Sequence, residues 1–175
     1  SFDELRSLGQ SAKGKIIFFN RAMDPTQTET FKAYGEAADQ RVSGAAEAAK
    51  AGGRAALVRS LTFGENDFPH TGLMRYQPGV HKVPGICVST KGANELSEAL
   101  QKDPNLVVFL RTSSKNLAAV TSFNVVGEIE GSERPGEIIL LGAHLDSWDL
   151  GQGAHDDGAG CAQVVEALRL LQQLG

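Results

Sequence analysis

The chain reads as α/β in two successive units, and three features of the sequence say so. Residues 15–20 (KIIFFN) and 54–60 (RAALVRS) are short strand-like runs, separated by a stretch in which small apolar residues recur at helical spacing. The same alternation of strand-like and helical patterns returns over residues 86–111. A further run, Ile138-Ile139-Leu140-Leu141, is apolar without interruption, as a strand buried on both faces of a mainly parallel sheet is, and it gives way at once to a loop crowded with His, Asp and Gly.

Taken in order, residues 2–12 predict a short helix with Leu5 and Leu8 on one face, ending near Gly14. Residues 15–20 are the first strand, and residues 21–30, with Asp24-Pro25, a loop. From Phe31 to Lys50, Ala38, Val42, Ala45 and Ala49 mark a helix face of small residues that can lie close to a sheet, and Gly52-Gly53 ends it. Residues 54–60 are the second strand. Residues 61–82, with Gly64, Pro69, Gly72, Pro78 and Gly79, predict a long loop of the kind that is usually functional or mobile. A strand at Ile86-Cys87-Val88 follows. Next comes a helix over residues 91–102 with Leu96, Ala99 and Leu100 inward and Thr90 as its cap, and then a strand over residues 106–111. Together these make one small α/β unit, residues 1–113.

Residues 112–117 have linker character. Residues 122–130 alternate Phe123, Val125 and Ile129 with Asn124, Glu128 and Glu130, as a strand with one wet face does. Residues 138–141 are the buried strand, and residues 158–174 predict a helix with Cys161, Val164, Val165, Leu168 and Leu171 on its buried stripe and Asp157 as cap. Two strands and a helix cannot bury such a sheet alone, so residues 114–175 read as the start of a second α/β domain, truncated here.

Composition narrows the function classes. Apolar residues at 41% suffice for a real core, and a net charge of −4 with no basic stripe argues against nucleic acid as a partner. No apolar run approaches the roughly 20 residues of a membrane span. Cys87 and Cys161 both sit among apolar neighbours and read as buried free thiols rather than as a disulfide.

Chemistry is concentrated in residues 142–160 (GAHLDSWDLGQGAHDDGAG). Loops leaving the strands of open α/β sheets are where ligand sites form, and imidazole with carboxylate suits zinc or a similar borderline metal. His144, Asp146, Asp149, His155, Asp156 and Asp157 are the candidates. Of these, His155 also reads as local packing and Asp149 as a structural hydrogen-bonding residue, and Trp148 reads as either pocket lining or packing. His70 and His81 read as solvated loop residues, with substrate contact from that long loop as the alternative.

The segments HLDSW and GAHDDG, together with PHTGLMRYQPGVHKVPGICV at residues 69–88, resemble the co-catalytic zinc exopeptidases, a family that includes bacterial leucine aminopeptidases and glutamate carboxypeptidases. Of its branches, the plasma glutamate carboxypeptidase subfamily is the most similar. The resemblance implies a protease-associated domain over residues 1–113 and the first part of the metallopeptidase domain over residues 114–175. It implies that His144 is a ligand of one of two zinc ions, that Asp156 bridges both, and that Asp146 hydrogen-bonds the far nitrogen of His144 and acts in catalysis through it. It also implies a cis Asp156-Asp157 bond, a peptide or dipeptide substrate, a homodimer, and a secreted or periplasmic location. The general base and the remaining ligands lie downstream in that family, so this chain carries two ligands and is expected to be inactive alone. The competing readings are a protease-associated interaction module and a catalytically dead, receptor-like relative.

Overall fold

The computed structural model describes residues 1–115, 117–148 and 151–174. The expectation for Asp149 and part of the linker expected at residues 112–117 fall outside them. The chain is α/β and divides into two compact units, Ser1–Ser114 and Lys115–Gly175.

The first unit is built on a three-stranded parallel sheet. Strand β1 (Ile16–Phe19) and strand β3 (Gly85–Val88) flank β2 (Ala55–Arg59), with Phe19 opposite Val58 and Val58 opposite Cys87. Parallel neighbours need long crossovers. Helix α2 (Thr30–Lys50) supplies the first, and the irregular segment before β3 supplies the second. β2 is buried along nearly its whole length, and Leu57 is only 2% exposed. Ile17, Phe19, Ala45, Ala48, Ala56 and Val58 form the main core, and the Phe2 ring meets that of Phe19 edge to face at 5.6 Å.

α2 ends where expected. Gly52 takes φ 78°, a left-handed conformation that a Cβ would disfavour. Its buried stripe is rotated from the expected one. Of the expected face Ala45 is buried, but Ala38, Val42 and Ala49 are only partly so, and the stripe is completed by Ala33, Ala37, Gln40, Gly44 and Ala48. The rotation follows from two contacts. Gly44 sits against the Phe19 ring, where an added Cβ would lie 3.1 Å from the ring carbons. The Gln40 amide satisfies the chain leaving β1, accepting from the Arg21 N–H at 3.1 Å and donating to the Arg21 carbonyl.

The N-terminal helix is shorter than expected. Helix α1 (Phe2–Ser7) gives way to a 3-10 turn at Gly9–Ala12, which leaves Leu8 exposed while Leu5 is buried. Helix α3 (Thr90–Lys102) is capped by Ser89 rather than by Thr90, the Ser89 Oγ accepting from the Gly92 N–H at 2.9 Å. Thr90 is buried and holds the long loop instead. Its Oγ1 accepts from the Asn66 N–H at 2.9 Å and donates to the Gly64 carbonyl at 2.9 Å. Ser60, also buried, accepts from the His70 N–H at 2.7 Å. His70 is partly buried and His81 exposed.

Residues 106–111 form no strand. Leu106, Val108 and Leu110 are half-covered, Val107 and Phe109 are exposed, and no ladder partner pairs with them among the described residues.

In the second unit the described residues form a wide turn (Ala154–Ala159) and helix α4 (Gly160–Leu174). Neither expected strand is present. Residues 122–130 are exposed throughout, and in place of a buried strand Ile138, Ile139 and Leu140 are almost wholly exposed, Ile139 at 91%. A parallel strand is stable only with neighbours at its edges and helices on its faces, and the described residues of this unit supply no strand to pair with. On α4, Cys161, Val164 and Leu168 are partly covered, whereas Val165 and Leu171 are exposed. Both cysteines are free and partly buried; burial pushes the Cys87 thiol above its ordinary pKa, against a smaller opposing pull from Arg41.

Candidate metal centre

The second unit is ordered where its chemistry lies, because the contacts there are local in sequence. Gly151 closes a tight turn by donating to the Trp148 carbonyl at 2.9 Å, and Gly158 donates to the Gly153 carbonyl at 2.8 Å. Gly153 adopts φ 68°, and a Cβ there would lie 2.7 Å from that of Ser147. Only glycine reverses the chain at this point without a clash. Beyond it Asp156 and Asp157 have non-helical backbone angles and a cis bond between them, as the motif resemblance implies.

This path brings three of the sequence-predicted residues together. His144 Nε2 lies 2.9 Å from Asp156 Oδ1. On the other side of the ring, His144 Nδ1 lies 2.9 Å from the Asp146 carbonyl oxygen and 3.2 Å from Asp146 Oδ1. Two residues apart on a flat strand, His144 and Asp146 would share a face without touching. They touch because the chain bends at Leu145, between them. His155 is exposed, and Trp148 is partly exposed.

Two contacts were not legible in the sequence. Asp157, which reads as a helix cap, turns its carboxylate to the His144 N–H, 3.1 Å from Oδ2. Cys161, which reads as core, donates its thiol to the His144 carbonyl at 3.3 Å. The backbone of His144 is thereby tied at both its N–H and its C=O to the start of α4. The adjacency of two aspartates was the only signal, since one carboxylate can face the metal position while the next braces the loop.

The electrostatics follow from what the ring faces. Nδ1 meets only acceptors, so it carries a proton and leaves Nε2 as the ligating or second protonated nitrogen. The hydrogen bond to the Asp146 carbonyl is the largest influence and raises the His144 pKa above its ordinary 6.5; desolvation opposes it, and the charges of Asp157, Asp146 and Asp156, each a smaller effect, add to the rise.

These donors fit a zinc ion. Zn–N and Zn–O bonds of about 2.0–2.2 Å at tetrahedral angles hold two ligand atoms about 3.3 Å apart, so Nε2 and Oδ1 at 2.9 Å need part by only a few tenths of an ångström. Among the described residues no group of three or more His, Cys, Asp or Glu converges on one metal position. This stretch therefore offers a pair of donors rather than a closed site.

Comparison with known proteins gives these residues a context. The profile of Peptidase family M28 matches residues 124–175. Over all 175 residues the chain is 41% identical to carboxypeptidase Q of Bos taurus and 39% identical to carboxypeptidase Q of Homo sapiens, and it spans 35% of the length of each. The crystal structure of a peptidase M28 precursor from Shewanella amazonensis SB2B superposes with a TM-score of 0.81 at 34% identity, covering 94% of this chain and 37% of that one. The chain thus spans about a third of the relatives it matches.

Proposed function

We propose that the chain is part of a peptidase of family M28, that residues 114–175 carry the first metal-binding elements of a two-zinc exopeptidase acting on peptides or dipeptides near a terminus, and that residues 1–113 are its protease-associated domain; the family match over residues 124–175 and the 41% identity to carboxypeptidase Q support this reading. The observation that carries this reading is His144 Nε2 in contact with Asp156 Oδ1 at 2.9 Å, so that a separation of a few tenths of an ångström would let one dication take both as ligands.

When bound, two zinc ions would supply a water acidic enough to ionise near neutral pH and positive charge against the oxyanion of a cleaving amide. The residues of this chain have narrower tasks. His144 offers Nε2 as a ligand. Asp156 offers a carboxylate to be shared between two ions, lowering their mutual repulsion. Asp146 holds the Nδ1 proton, which fixes the tautomer and makes Nε2 a better donor. Asp157 and Cys161 brace the His144 backbone so that the ring does not swing away. Substrate, a homodimeric state and a secreted or periplasmic location belong to the same proposal. No described helix is long and apolar enough to cross a membrane.

Two donors are few for zinc, which structural sites hold with four. The 175-residue chain is expected to take up zinc weakly, to release a proton as His144 becomes a ligand, and to hydrolyse no dipeptide. Calorimetric titration of zinc in two buffers of different ionisation enthalpy reads both the affinity and the proton. His144→Ala and Asp156→Ala should each abolish the uptake. Unchanged uptake in both variants would overturn the assignment of the two donors, and dipeptide turnover by this chain alone would overturn the expectation that its catalytic machinery is incomplete.

A further inference from the structure

The first unit contains a second charged feature, unrelated to the metal donors. Arg41, on the fourth turn of α2, has no carboxylate within ion-pairing distance among the described residues, although the chain as a whole is acidic. Its Nη2 donates to the Tyr34 hydroxyl and its Cζ lies 5.3 Å from the centre of the Tyr34 ring. Its Nε is buried and has no hydrogen-bond partner among the described residues. The guanidinium is also pressed against the backbone of the long loop. A Cβ added to Gly72 would lie 2.2 Å from Arg41 Cζ, so a side chain there would displace the guanidinium.

A partly buried guanidinium with an unpartnered Nε and no counter-charge is costly, and its donors are complementary to a carboxylate. Beside it is a cavity of about 130 Å³ between α2, β3 and the loop, whose walls include Thr71, Met74, Ile86 and Cys87. That volume is well below the several hundred Å³ of pockets for drug-sized ligands and matches about four waters' share of liquid. The walls are mostly apolar apart from Arg41 and Thr71. A strongly hydrated dianion such as phosphate would lose more solvation there than one arginine returns, whereas a monocarboxylate with a one- or two-carbon tail places charge on Arg41 and methylene against Met74 and Ile86.

We propose that this cavity is a binding site for a short-chain monocarboxylate, with Arg41 as the anion anchor and Cys87 in its wall. It is independent of the metal-centre assignment, being made entirely by residues of the first unit.

Cys87 makes the site readable. Iodoacetate is itself a small carboxylate. It alkylates a thiolate by forming an S–CH2 bond as iodide leaves, the thiol proton having gone to solvent. Neutral iodoacetamide does the same without the charge. In the 175-residue chain, the ratio of iodoacetate to iodoacetamide rates, read peptide by peptide by mass spectrometry, should be about tenfold higher at Cys87 than at Cys161, the size of effect that local anion concentration by a charged cleft produces. Arg41→Met should bring the two ratios together. Propionate should slow carboxymethylation of Cys87 in the unaltered chain at constant ionic strength, with no effect at Cys161. If Arg41→Met does not fold, the propionate competition decides alone. Equal ratios at the two cysteines, or a Cys87 rate that propionate leaves unchanged, would overturn the proposal.

Discussion

Residues 55–58 and residues 138–141 are equally apolar runs, yet the first lies in the core and the second in solvent. The difference is in partners rather than in hydrophobicity. Ala55–Arg59 has a parallel neighbour on each edge and α2 across one face, whereas no described strand pairs with Ile138-Ile139-Leu140-Leu141. Burial is a property of a strand in a sheet. The metal-donor loop that follows is nevertheless formed, because its contacts run between His144 and residues no further along than Cys161. One unit is thus held by long-range pairing and the other by a local loop braced on a helix.

The sharpest way to break that contrast is to remove the same side chain from each run. Leu57→Ala takes a buried leucine from between two strands, and a loss of about 2–5 kcal/mol is expected, from lost transfer energy and the cavity left behind. Leu140, 87% exposed, should tolerate the same change within about 0.5 kcal/mol. Urea denaturation followed by far-UV circular dichroism measures both. Equal losses at the two positions would mean that residues 138–141 are buried in solution after all.

A smaller effect tests how the first unit holds its long loop. Thr90→Val keeps the shape but removes the hydroxyl that satisfies Asn66 N–H and the Gly64 carbonyl. Leaving a partly buried N–H without a partner costs about 1–3 kcal/mol. Hydrogen exchange at residues 62–70 should quicken more than exchange in β2. Uniform quickening would show that Thr90 supports the core and not the loop.

What was legible in the sequence follows the same division. The first two strands, α2 and its glycine stop, and the existence of α3 could be read because apolar period and turn residues are local signals. The face that α2 buries could not, because it is set by the Phe19 ring and by Gln40, which reaches back to the Arg21 backbone. The cap of α3 was misplaced by one residue because Ser89 and Thr90 are both good caps, and the choice depends on which hydroxyl the distant loop claims. Strands at residues 106–111, 122–130 and 138–141 were expected from pattern alone, and pattern does not provide a partner. At the metal donors, the residue types announced His144 and Asp156. The second function of Asp157 did not show, since a carboxylate ahead of a helix reads as a cap whichever N–H it accepts from.

The smallest expected effect concerns His144, whose ring faces acceptors on both nitrogens. The hydrogen bond to the Asp146 carbonyl and the three neighbouring carboxylates favour the imidazolium, so the ring should titrate above 6.5 in an NMR titration of the metal-free chain. Asp157→Asn removes one of those charges and should lower the midpoint, while the Asp146 carbonyl keeps it above 6.5. The sign for stability follows: a raised pKa stabilises the fold fully below 6.5, and that contribution is lost as pH rises through the folded value. The exposed ring makes it a small term. Zinc runs the other way, since it needs Nε2 bare and its uptake should strengthen as pH rises through the same interval. A His144 midpoint at or below 6.5, or one that Asp157→Asn raises, would mean that the loop is not braced on α4 in solution. The second unit would then lack the local order that distinguishes its donor loop from the exposed run before it.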